Sequence, residues 1–127
     1  MIREITKYVA VEDKVFVIDV DLFAGFIPPK VEGDAVVLRE SGGLPNFYLP
    51  DKVEKAVQVL SRASDYWVAS ANAKRVYDIL HGAAGITLPI VETGKEYYID
   101  TAEATTAPQS LGQDEKGLFN ISTNYII

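Results

Sequence analysis

The strongest constraint on this chain is a single helix. Ala69, Ala73, Val76, Tyr77 and Leu80 recur at i, i+4, i+7, i+8 and i+11, the apolar stripe of an amphipathic helix, with Lys74, Arg75 and Asp78 off it. Asp65 stands where an N-cap belongs, and Gly82 where a left-handed residue stops the last turn. A stripe this long must be covered by something, and the sequence on either side offers strands. Before the helix, a segment starting at about 53 or 55 and running to 63 alternates: Ala56, Gln58, Leu60 and Arg62 share one face, and Val57, Val59 and Ser61 the other.

After the helix, Gly85 and Pro89 are expected to keep the connection irregular. Two long strands then close the chain, at about 96–108 and 117–127. Phe119, Ile121, Thr123, Tyr125 and Ile127 form one face of the last strand, and residues 110–117 read as a polar, Gly-flanked hairpin loop. Toward the N-terminus, Ile2, Ile5 and Val9 predict a short helix over 2–10. Residues 15–22 are β-rich, and Pro28 and Pro29 end any ladder there. A further strand is expected over 35–39, broken by Ser41-Gly42-Gly43, with 44–50 a loop. The expected fold is α+β: a mostly antiparallel or mixed sheet of about five strands with two helices packed on one face.

The chain has 127 residues, which reads as one domain spanning 1–127. It has no cysteine, which excludes a disulfide framework, a thiolate metal site and a cysteine nucleophile. A net charge of −6 argues against a phosphate-gripping nucleic-acid binder. An acidic wall beside DNA would instead let it slide. No apolar stretch approaches the length of a membrane span, and Arg3 and Glu4 interrupt any signal-peptide core. The chain is therefore expected to be complete as given and cytoplasmic.

Few residues suggest chemistry. Asp19 and Asp21, two apart on an expected strand, would project both carboxylates from one face. That pair suits a divalent ion or shared acid–base work, but a solvated strand face is the plainer reading. His81, the only histidine, is expected to cap the helix by donating to free carbonyls. Ser41-Gly42-Gly43 lacks the spacing and the lysine of a phosphate loop. One member of each aromatic pair, Tyr66-Trp67 and Tyr97-Tyr98, is expected in the core and the other exposed. One of Phe23 and Phe26 is likewise expected in the core. No catalytic residue, metal ligand or cofactor site is expected.

Several motifs resemble the tail terminator (minor capsid, tail-to-head joining) family of long-tailed bacteriophages. The segment from Asp21 to Pro28 is similar to that family's Leu-Phe-x-Gly-x-x-Pro. Glu40-Ser41-Gly42-Gly43 with Pro45 resembles its Gly-Gly turn. Leu49 to Val53 and then Val57 to Ala63 look like its central strand, and Leu80-His81-Gly82 like its helix end. The C-terminal block is the most specific: Ala107-Pro108-Gln109, Leu111 to Glu115, Gly117, and Ser122 to Tyr125.

The resemblance implies a structural virion protein at the head–tail junction, assembled in the host cytoplasm. It implies a homo-hexameric ring that caps the tail tube, ends its polymerisation, and binds the tail tube protein and a head-completion connector. DNA would pass the lumen without specific binding, and no membrane or cofactor would be involved. Candidate interface residues are Gln58 and Arg62 on one strand face, and Gln113, Asp114, Glu115 and Lys116 at the hairpin tip. The alternatives are a head-side connector or neck protein and, remotely, a small metal-binding or enzymatic domain using Asp19, Asp21 and His81.

Overall fold

A computed structural model describes residues 2–13, 16–28, 33–45, 53–94, 97–114 and 117–127, with backbone alone for 41–45 and 53–55. The elements run α1 (Ile2–Asp13), β1 (Leu22–Ala24), β2 (Ala35–Pro45), β3 (Val53–Ala63), α2 (Tyr66–Leu80), β4 (Ala83–Thr87), β5 (Tyr98–Ala104), β6 (Gln109–Gln113) and β7 (Phe119–Ile126). The fold is α+β, as the alternation of patterns predicts. The strands form one mixed sheet in the order β1-β2-β3-β7-β5-β4, with β6 also on β7. Among the described strands β1 and β2 pair in parallel and the other pairs are antiparallel.

Both helices cover the same face. Ile5 and Val9 of α1 and Val76 and Leu80 of α2 pack with Val36, Leu38, Val57, Val59 and Tyr125. Ala63, Ala69, Ala73 and Ile121 extend the layer, with Tyr66 and Phe119 at its margin. The small side chains Ala69 and Ala73 let the helix approach the sheet, and there the buried Ser61 hydroxyl donates to the Ala69 carbonyl at 2.8 Å. Behind the sheet, Phe23, Ala35 and Val37 form a smaller cluster with Ile27 and Leu60. Phe23 is buried while Phe26 is 68% exposed, so one of the pair is core and the other is not.

The expected caps of α2 are in place. Asp65 is extended, and its carboxylate accepts the Trp67 amide at 2.8 Å. Gly82 follows at φ +80, a conformation glycine adopts without steric cost. His81 departs from expectation. Its Nδ1 accepts the Ala104 amide at 3.0 Å, so it ties α2 to β5 as an acceptor instead of donating to carbonyls. Its ring stacks on Tyr77 at 4.8 Å.

The clearest correction concerns 16–22; residue 15 of the expected β-rich segment lies outside the described residues. Residues 17–21 form a tight turn, not a strand. The Val17 carbonyl accepts the amides of Val20, Asp21 and Leu22 at 3.1–3.2 Å, and the Asp21 carboxylate accepts the Val17 amide at 2.7 Å. Short acidic side chains offer the backbone these local bonds in place of a ladder. Asp19 and Asp21 therefore do not share a strand face, and Asp19 sits at φ +67. Left-handed backbone costs a non-glycine residue roughly 1 kcal/mol. Asp19→Gly is expected to raise stability by about that amount, read from urea midpoints. A loss of stability would show that the Asp19 side chain itself holds the turn.

Three other differences share one cause, strands without an alternating apolar pattern. β2 continues through Ser41-Gly42-Gly43 to Pro45, absorbing the glycines as a register shift between Glu40 and Gly43. β4 is a strand where Gly85 and Pro89 suggested irregular chain; Ala-Ala-Gly carries no period-2 signal. The strand expected over 96–108 is the shorter β5, and part of the expected 110–117 loop is β6, paired with β7. Its residues Gln, Ser, Leu, Gly and Gln are all exposed, so no buried face announces it. Among the described residues the sheet thus has seven strands.

Among the described residues Tyr125 is the largest fully buried side chain. Burial pushes its hydroxyl well above the ordinary tyrosine range; the nearby Thr123 hydroxyl opposes this more weakly. Neither hydroxyl has a hydrogen-bond partner among the described residues. A folded-state value raised above the unfolded one means that, above the ordinary pKa of about 10, the unfolded chain releases a proton the folded chain keeps. Stability is then lost as pH rises. Tyr125→Phe is expected to raise neutral-pH stability by up to about 1 kcal/mol and to flatten the decline above pH about 10. Denaturant titrations at pH 8 and 11 check this; an unchanged alkaline slope refutes it.

Candidate assembly interface

The face of the sheet away from the helices follows from the period of two. With Val57, Val59 and Ser61 turned to the helices, Ala56, Gln58, Leu60 and Arg62 of β3 must turn away. Register places Arg39, Gln58 and Asn124 in one row, and Ala35, Arg62 and Asn120 in another. These side chains are linked across strands. Arg39 Nη2 donates to Gln58 Oε1 at 2.7 Å, and Gln58 Nε2 donates to the Ser122 hydroxyl at 3.1 Å. Arg62 donates through Nε and Nη2 to the Gly33 carbonyl, which pins the approach to β2. The two strand residues singled out from sequence therefore lie on one polar surface, and both also serve the fold.

The other candidates lie far from them in the chain, at the β6–β7 turn. The Asp114 amide donates to the Leu118 carbonyl and its carboxylate accepts the Leu118 amide, at 2.9 and 3.0 Å. Gln113 Nε2 donates to the Gly117 carbonyl at 3.2 Å. Gln113 and Asp114 thus shape the turn. Glu115 and Lys116 lie outside the described residues.

Exposed apolar side chains mark further surfaces, two of them at the aromatic pairs expected from the sequence to turn one ring outward. Val17, Ile18 and Val20 ring the tight turn, with Phe26 beyond β1. At the start of α2, Trp67 is 75% exposed. Tyr66 meets it edge-on at 5.2 Å and meets Phe119 edge-on at 5.8 Å, so the aromatic contacts run from the core margin to solvent. Tyr98 is exposed while Tyr97 packs against the core. Rigid exposed aromatics of this kind anchor protein–protein contacts. The signal in the sequence was the adjacency of two aromatics, which forces one of each pair outward.

Chemistry finds little support among the described residues. No cluster of three or more His, Asp or Glu side chains could hold a metal. Asp21 is bonded into its turn, and Asp19 points from a different backbone conformation.

A family model described as bacteriophage tail terminator protein matches residues 11–127. The chain belongs to the bacteriophage tail terminator family. No curated protein matches it. The tail terminator family is structural, so this chain is read as a virion component. No helix among the described residues is long and apolar enough to cross a membrane. For a tail terminator, the polar sheet face, the aromatic edge of α2 and the open strand edges are the surfaces available for assembly.

Proposed function

We propose that this tail terminator caps the tail tube as a ring of six identical subunits, halts tube growth, and presents its opposite side to a head-completion protein. The family match over residues 11–127 carries the reading. A ring is built from heterologous contacts, in which one surface of each subunit meets a different surface of the next. The exposed apolar turn at Val17–Val20 and the exposed aromatics Trp67 and Tyr98 lie on different elements, which suits such contacts. A cap ends growth because it fills the tube's end without repeating the tube's own binding surface. With a net charge of −6, the lumen wall would let DNA pass without adhering. The protein acts by binding, without catalysis or cofactor. Gln58 and Arg62 contribute the polar sheet face to a contact, and Gln113 to Lys116 contribute the hairpin turn.

Native mass measurement at high concentration, and negative-stain imaging of purified tail tubes with and without the protein, test this. Six-membered rings seated on tube ends are expected, and phage lacking the protein should produce overlong tails and unjoined heads. Binding to portal rings with no binding to tubes would make it a head-side connector instead. A protein that stays monomeric and ignores both would overturn the reading.

A further inference from the structure

We propose that neighbouring copies join edge to edge, with β6 of one subunit pairing antiparallel to the outer edge of β2 of the next, beyond Leu38. The proposal deepens the ring reading and rests on it. β6 (Gln109–Gln113) is exposed at every residue and, among the described residues, pairs with β7 alone. It carries no charge and no proline, whereas soluble monomers guard their edge strands with such residues. At the opposite side of the sheet, β1 pairs only with Val36, Val37 and Leu38 of β2. Past Leu38, no strand among the described residues lies on that edge, although β2 continues to Pro45.

Direction and position select this pair over the other open edges. β6 is antiparallel to β7, β7 to β3, and β3 to β2, so β6 runs opposite to β2. Cyclic symmetry keeps every copy in the same sense about the axis. The registers set Ser110, Ile121, Ser61, Val36 and Leu22 in one row, so with the strands tilted to that axis, as in closed sheets, β6 steps past β1 and meets the open part of the next copy's β2 in the antiparallel mode. Among the described residues β4 is also open, but β5 and β6 both sit on the side of β7 away from β3, so β4 shares β6's side of the sheet. Joining β4 to β6 would pair like sides and close a dimer instead of a ring. β1 has three residues, of which Leu22 and Phe23 are buried.

Charge points the same way. Copies carrying a net charge of −6 repel one another, and pairing through the backbone of an uncharged strand brings no carboxylates of that strand into opposition. The register shift between Ser110 and Gly112 bends β6, as a closing sheet requires.

The absence of cysteine makes the test clean. Ser110→Cys and Glu40→Cys, both at exposed positions, are introduced singly and together. Assembled protein is treated with a short bismaleimide that tolerates an offset in register. The double variant is expected to give a covalent ladder ending at the ring size, and each single variant mainly monomer. Leu111→Lys, at a side chain 58% exposed, should keep the wild-type melting curve while raising the concentration needed for rings at least tenfold. Intact rings by native mass with no ladder would overturn the proposal and leave the ring reading standing. So would quantitative dimers from Ser110→Cys alone, or cross-links formed only to tube subunits. Wild-type protein that forms no ring, free or on tubes, overturns both.

Discussion

Replacing Leu80 with alanine is expected to lower the unfolding free energy by about 3 kcal/mol. Leu80 closes the apolar stripe of α2 and is fully buried among side chains from both helices and the sheet. Truncation removes the transfer free energy of its methyl and methylene groups. It also leaves a cavity whose walls, built from paired strands, cannot collapse freely. For a domain of this size the loss corresponds to a drop in Tm of roughly 10 °C. Calorimetry on Leu80→Ala measures it, with Leu111→Ala on the exposed edge as the contrasting variant. A change below about 1 kcal/mol for Leu80→Ala would mean the helix is not packed as described.

The second large effect is expected at the link between the two helices. Arg75 of α2 donates through Nη2 and Nε to the carboxylate of Asp13 at the end of α1, at 2.7 and 3.1 Å. The Asp13 side chain is 10% exposed, and the same carboxylate accepts the Phe16 amide at 3.2 Å. The guanidinium lies 4.7 Å from the centre of the Phe16 ring. Asp13→Ala leaves a partly buried cation and frees the chain that enters the Val17 turn. Breaking a fully buried pair costs about 3–5 kcal/mol. Arg75 is a third exposed here, so solvent screens the loss to about 2 kcal/mol. Arg75→Ala should cost a similar amount, and the double variant less than the sum, because the second change removes a charge already stranded. Additive losses in that cycle would refute direct coupling.

The elements legible in the sequence were those whose buried faces impose a period. The stripe from Ala69 to Leu80, the alternation of β3, and the face Ile121, Thr123 and Tyr125 of β7 are written in side chains that must leave water. Asp65 and Gly82 were legible because the backbone geometry at helix ends admits few residue types. β4 and β6 were not legible. They are held by backbone hydrogen bonds to β5 and β7, to which their side chains contribute no pattern. Residues 17–21 misled for the opposite reason. Their β-branched side chains suit a strand, yet the Asp21 carboxylate captures the Val17 amide and closes a turn.

The candidate interface divides along the same line. Alternation along β3 assigned Gln58 and Arg62 to one face, but only tertiary pairing brought Arg39 and Ser122 beside Gln58 and Gly33 beside Arg62. The motif resemblance from Asp21 to Tyr125 already pointed to the tail terminator family, to which the match over 11–127 assigns the chain. By itself, the sequence determined the fold class, the apolar stripe of α2, the two faces of β3 and β7, and the absence of cysteine, because each depends on residue type and local spacing. The order of the strands and the identity of the open edges were decided only by the tertiary structure. Edges depend on which backbones find partners, and every non-proline residue carries the same backbone donor and acceptor.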